Sequence, residues 1–214
     1  MTTDRWWRRR ITPWLVLGLG IASLTQARPA LGEDSPTQVV ETTTNAVIAV
    51  LANKALSAEQ RRQQVEGIVY EHFDFVTLSK LVLARNWKQL SPQQQDAFVA
   101  EFKRHLSITY GRNVESYNNE RAMVTGDRRE AGDDWTVKTK IVRPAAAEIL
   151  VDYRLRQLDG QWRVIDVTIE GVSLVANFRS QFQEIITAQG PDKLIELLRE
   201  KNDRGEPLKS DASA

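Results

Sequence analysis

The chain of 214 residues contains no cysteine. That excludes disulfides and thiolate metal sites, and it removes the residue that lipid anchoring at an export signal requires. Only two histidines, His72 and His105, are available for metal binding or general-base work, and neither belongs to a spaced cluster of ligands. No metal is therefore expected. A phosphate-binding loop, internal repeats and low-complexity tracts are also missing. The basic stretch G-D-R-R at 126–129 has no interleaved aromatic residues, so nucleic acid is not an expected partner. No apolar run reaches the roughly 20 residues needed to span a bilayer.

What is present at the start reads as an export leader. R-W-W-R-R-R at 5–10 is a basic head, and W-L-V-L-G-L-G-I-A-S-L from Trp14 to Leu24 is a short apolar run. Small residues follow, and cleavage is expected after Ala27 or Gly32, making residues 1–32 a signal peptide. The leader takes five of the 29 basic residues and one of the 28 acids, leaving 24 against 27 and a net charge of −3. The exported chain is thus mildly acidic, which removes charge-driven polyanion binding.

Helical spacing dominates the first half. Val39, Val40, Thr43, Val47, Val50 and Leu51 recur at three and four residues, as do Val65, Ile68, Val69 and Phe73. Asp74 stands where an N-cap is needed before Phe75, Leu78, Leu81 and Val82. In S-P-Q-Q at 91–94, Ser91 reads as N-cap, Pro92 as first helical residue and Gln94 as reciprocal partner. A long helix follows with Phe98, Phe102, Leu106 and Tyr110 on one face, extended by Val114 and Tyr117.

From about residue 121 the period becomes two. Trp135, Val137, Thr139 and Ile141 alternate with polar neighbours, and so do Ile149, Val151, Tyr153 and Leu155. G-D-D at 132–134 and D-G at 159–160 mark hairpin turns. Apolar parity switches near Val164–Ile165, which predicts a bulge or a strong bend there. Helical spacing returns at Leu174, Val175, Phe178 and Phe182, and again from Leu194 to Leu198. From Asp203 the tail, 203–214, is polar and expected to be flexible. The expected fold is α+β, with helices packed on a curved antiparallel sheet of about four to five strands. Such a layout encloses an apolar cavity as readily as a solid core.

Candidate chemistry is sparse. G-V-S-L-V at 171–175 has nearly the strand–turn–helix layout of a nucleophile elbow, which would make Ser173 the nucleophile of a secreted hydrolase. The second glycine is replaced by Val175, and the simpler role for Ser173 is N-cap of the next helix. Asp166 and Glu170 interrupt an apolar strand. They are expected to face solvent or pair with an arginine, with acid–base work in a cleft as the sharper alternative. No catalytic set emerges. The apolar surplus is the remaining feature. It lies on the long helix (Phe98, Phe102, Leu106, Tyr110), on the sheet (Val137, Ile141, Val151, Tyr153, Leu155) and on the closing segment (Val167, Ile169, Val172, Leu174, Val175). These positions fit either plain core or a cavity lining. A solute-binding protein for a small polar or aromatic ligand is a third reading.

The segments F-D-F-V-T-L-S-K-L-V-L-A-R-N-W-K-Q-L-S-P-Q-Q-Q-D-A-F-V-A-E-F, V-D-Y-R-L-R, W-R-V-I-D-V-T-I-E-G-V-S-L-V-A-N-F-R-S-Q-F and G-P-D-K-L-I-E-L-L resemble the MlaC / toluene-tolerance family. The resemblance spans roughly residues 36–202, within an expected domain of 33–202. It implies a non-enzymatic periplasmic carrier of one glycerophospholipid, with a fold partly similar to nuclear-transport-factor-like proteins. Such carriers serve outer-membrane lipid asymmetry. Cargo passes between an outer-membrane lipoprotein–porin complex and an inner-membrane MCE-domain protein with its ABC transporter. On this reading the protein is a monomer without cofactor, and the fourteen apolar positions named above line the lipid cavity.

Overall fold

A computed structural model of the chain describes residues 35–111 and 117–208. The expected leader and Val114 lie outside the described residues. Four helices come first: α1 (Pro36–Ala52), α2 (Ala58–His72), α3 (Phe75–Leu83) and α4 (Pro92–Gly111), with a 3-10 turn, Ala84–Gln89, before α4. Five strands follow, β1 (Arg121–Arg129), β2 (Asp134–Val142), β3 (Ile149–Leu158), β4 (Gln161–Ile169) and the two-residue β5 (Val172–Ser173). Helices α5 (Leu174–Gln189) and α6 (Pro191–Asp203) close the body. The fold is α+β, as the change of period predicts.

The helix starts are set by local chemistry. Ser35 and Ser57 form reciprocal capping boxes with Gln38 and Gln60. Ser91 does the same with Gln94: its N–H donates to Oε1 at 2.8 Å and its Oγ accepts from the Gln94 N–H at 3.3 Å. Asp74 caps α3 by accepting from Val76 and Thr77. Gly190, at φ 83°, ends α5 in a conformation that favours glycine, and Pro191 then opens α6.

The sheet is an antiparallel meander in the order β1-β2-β3-β4-β5. Asp159 and Gly160, both at positive φ, make the tight β3–β4 turn. Pairing of Leu155 with Val164 and of Arg154 with Asp166 leaves Ile165 as the extra residue. This bulge accounts for the parity switch and lets both Val164 and Ile165 be buried. On the other face, Asp134 accepts from Arg156 Nε at 2.6 Å and Nη2 at 3.0 Å, and pairs with Arg154 at 2.6 Å. Burial pushes the Asp134 carboxyl up, but the two guanidinium groups outweigh it and hold it below the usual range.

Two apolar clusters form. The first joins α3, α4, α5 and α6 around Phe98, Phe102, Phe178 and Phe182, with ring centroids 5.1–5.7 Å apart. Each buried phenyl side chain contributes on the order of 1.5–3 kcal/mol, and edge-to-face pairing adds to it. The second is built from Val40 of α1 and the inner sheet residues Val137, Val151, Leu155, Val164 and Val167. Phe73 and Leu174 pack against both. Helix α2 contributes no buried residue to either.

The chain does not leave the body at Asp203. His105, fully buried on α4, bonds Asn202 Oδ1 through Nδ1 at 2.9 Å and accepts the Leu208 N–H at Nε2 at 3.1 Å. Leu208 packs on the aromatic cluster.

Candidate ligand site

Between the sheet and the first helices, solid packing gives way to two neighbouring cavities. The larger, about 580 Å³, is lined on α1 by Val40, Thr43, Thr44, Val47, Ile48 and Leu51, an unbroken stripe at three- and four-residue spacing. Ile141, Ile149, Tyr153 and Val164 face it from the sheet, and Tyr117, Glu120 and Arg143 supply its polar part. The smaller, about 330 Å³, lies among α2, α3, α4 and strands β3 and β4. Its lining includes Val65, Tyr70, Phe75, Leu78, Leu106, Tyr110, Val151, Val167, Ile169 and Leu174. Val69, Phe73 and Tyr153 line both cavities and therefore divide one apolar space into two lobes.

Burial pushes the pKa of the Tyr153 phenol, which lines both lobes, up to about 12. One hydroxyl in this space, Thr43 Oγ1, is buried without a hydrogen-bond partner among the described residues. An unpartnered buried hydroxyl is costly in a dry protein, and a ligand carbonyl relieves that cost. Burial also raises Tyr110, and it raises Tyr70 against a hydrogen bond with Ser107.

Of the fourteen apolar positions expected to line a cavity, the structure brings eight to the lobes: Leu106, Tyr110, Ile141, Val151, Tyr153, Val167, Ile169 and Leu174. The other six lie elsewhere. Phe98, Phe102 and Val175 are in the aromatic cluster between helices. Val137 and Leu155 point to the predicted face, but that end of the sheet is filled solid, near the edge-to-face pair Trp135–Trp162. Val172 is 50% exposed on the short edge strand β5. Parity identifies the face of a strand, not where along the strand the packing opens. The α1 stripe and Val65, Val69 and Phe73 were visible as helical periodicity, but nothing in that spacing distinguishes a lining from a core.

The strand–turn–helix at 171–175 is a cap. Ser173 accepts the Ala176 N–H at 3.0 Å and donates to Asp166 Oδ2 at 2.6 Å. Asp166 neither faces solvent nor pairs with an arginine: it is buried and also accepts from Val167 and Val175 N–H groups. Glu170 likewise accepts from a backbone group, the Leu150 N–H, at 2.5 Å. The carboxylate meets the serine hydroxyl directly, with no imidazole between them, and His105 is committed to Asn202 and Leu208. Among the described residues no group of three or more His, Asp or Glu is placed to hold a metal, and no helix is long and apolar enough to cross a membrane.

An α+β body whose helices and sheet surround a divided apolar space, with no catalytic constellation beside it, defines a binding protein for an apolar or amphipathic ligand. The chain belongs to the MlaC family, described as MlaC protein, which matches residues 41–200. It is 28% identical over 188 residues to the toluene tolerance protein ttg2D of Pseudomonas putida, covering 83% of this chain and 86% of that one. It is 22% identical over 194 residues to the intermembrane phospholipid transport system binding protein MlaC of Haemophilus influenzae, covering 86% and 90%. Among solved structures, a phospholipid-binding protein from Ralstonia solanacearum, in complex with a phospholipid, superposes with a TM-score of 0.72. That match has 23% identity and covers 79% of this chain and 97% of the other. The likeness shows the fold.

Proposed function

We propose that this protein is a periplasmic phospholipid carrier, holding the acyl tails of one glycerophospholipid in the two lobes. The observation that carries this is the divided apolar space flanked by two separate cores, in a chain of the MlaC family. Lobes of about 580 and 330 Å³ fall in the range of ligand pockets, roughly 300–1,000 Å³. The eight apolar positions named above, with the α1 stripe and Val65, Val69 and Phe73, are the proposed lining.

The energetics support carriage rather than chemistry. Two tails hold on the order of 30 methylenes at about 0.8 kcal/mol each, so release into water is roughly 20 kcal/mol uphill. A membrane offers the same gain as the cavity, so exchange with a bilayer runs near balance and direction comes from the partners. An inner-membrane MCE-domain protein with its ABC transporter and an outer-membrane lipoprotein–porin complex fit as donor and acceptor. The leader at 1–32 supports export. Native mass spectrometry of protein purified from cells should show one co-purified phospholipid, and labelled lipid should move between vesicles when the protein is added. Protein that carries no lipid and moves none refutes the reading.

A further inference from the structure

Three charged side chains reach the otherwise apolar smaller lobe: Arg62, Glu66 and Lys103. Glu66 is occupied by the Ser107 hydroxyl. Among the described residues Arg62 pairs only with Glu59, one turn away at the surface, with 48% and 54% of the two side chains exposed. Such an exposed pair is weak and yields readily to a better anion. Lys103 has no carboxylate partner among the described residues. Its ammonium stands 3.5 Å from the centre of the Tyr70 ring and 5.4 Å from that of Phe75. Arg62 and Lys103 against Glu59 and Glu66 leave this edge without net charge, but Lys103 alone of the four has no hydrogen-bond or ion-pair partner among the described residues. Beyond the edge lies a polar recess of about 750 Å³ that shares Arg62, Glu66, Tyr70, Ser107 and Gly111 with the lobe. Arg104, Asn202, Asp203 and Arg204 line it. An apolar lobe with the Lys103 ammonium against Tyr70, and a polar recess that Tyr70 also lines, match an amphiphile with a phosphate between its tails and its head.

We propose that Lys103 is the binding site for the phosphodiester of the cargo, with the headgroup directed past Tyr70 toward the recess beside α6. This rests on the carrier reading and adds a polarity to it: tails toward Tyr153 and Phe73, phosphate between α2 and α4. The ammonium gains a monoanion in a poorly solvated setting, and the tyrosine ring remains behind it. The recess makes few demands on headgroup identity, so the site selects for phosphate rather than for choline, ethanolamine or glycerol.

The test uses the exported chain and two vesicle-borne lipids with the same dioleoyl tails, phosphatidylcholine and diacylglycerol, the second lacking phosphate. Wild type should take up phosphatidylcholine in preference. Lys103→Gln should weaken that uptake about tenfold, the effect of one lost charge-assisted hydrogen bond, and leave diacylglycerol unchanged. Lys103→Arg should restore the preference. Glycerol 3-phosphate at millimolar concentration should not displace the lipid, because the phosphate alone leaves the lobe empty. If Lys103→Gln, with unchanged thermal unfolding, keeps phosphatidylcholine as wild type does, or loses both lipids equally, the phosphate site is overturned and the carrier reading stands. If glycerol 3-phosphate binds as tightly as the lipid, the site serves a free phosphate ester and the headgroup assignment falls. A wild type that takes up neither lipid overturns the carrier reading and the phosphate site together.

Discussion

Asp166 is the residue on which the closing turn depends, and its removal has a calculable effect. Its carboxylate accepts from the Val167 N–H at 2.8 Å, the Val175 N–H at 3.1 Å and the Ser173 hydroxyl at 2.6 Å. In Asp166→Ala the Val175 N–H, buried at the start of α5, loses its acceptor, which costs about 1–3 kcal/mol. The Ser173 hydroxyl loses the bond that aims it, weakening a cap worth about 1 kcal/mol. A total near 3 kcal/mol is expected, or a fall in Tm of roughly 6–12 °C for a body of this size. Asp166→Asn keeps one acceptor oxygen and should lose about half as much. Ser173→Ala should cost about 1–2 kcal/mol. Because the two side chains share one bond, the double variant should be less damaged than the sum of the singles, by at least about 0.5 kcal/mol. Urea titration with a common m-value, together with calorimetry, measures the cycle. Strict additivity, or a loss below about 1 kcal/mol in Asp166→Ala, refutes the account of this turn as one hydrogen-bonded unit.

Four further outcomes follow from packing and charge. Ala84 joins α3 to the 3-10 turn at φ 49° and ψ −121°, a region costly for any residue with a Cβ, so Ala84→Gly should stabilise the fold by about 1 kcal/mol in thermal unfolding. Val47→Asp places a carboxylate in the larger lobe outside both cores; it should fold yet retain little lipid by mass spectrometry. Leu155→Asp breaks the fully buried sheet core and should fail to fold by circular dichroism, losing on the order of 5 kcal/mol. Burial, opposed by the Asn202 hydrogen bond, lowers the His105 pKa below its ordinary 6.5. The unfolded chain therefore binds the proton first: this contribution is complete above about pH 6.5 and falls as pH drops through the folded value. His105→Gln should flatten the stability-versus-pH curve in that window.

Much of the fold was legible because its signals are local. Ser91, Pro92 and Gln94 announce the start of α4 whatever packs around them, and the parity switch at Val164–Ile165 calls for a bulge or a bend, of which the strand takes the bulge. The site was legible only in part because a cavity is a property of several elements at once. Phe102 and Leu106 share a helix face, yet one meets three phenylalanines and the other a void. Asp166 was misplaced because two of its three partners are backbone N–H groups, which no sequence displays. Lys103 carries no sequence signal at all: its lack of a carboxylate partner among the described residues emerges only when α2, α3 and α4 are assembled.

Helix α2 walls both lobes while burying none of its own residues. On the carrier reading, Val65 and Val69 are positions whose complementary surface the cargo supplies. Occupancy and local order along this helix become one thermodynamic variable. A ligand at a hundred times its dissociation constant adds about 2.7 kcal/mol to the folded state, and that increment should appear as slowed amide exchange from Ala58 to His72 before it appears anywhere else. A partner protein that grips α2 would read whether the carrier is full from the stiffness of one helix, without touching the lipid.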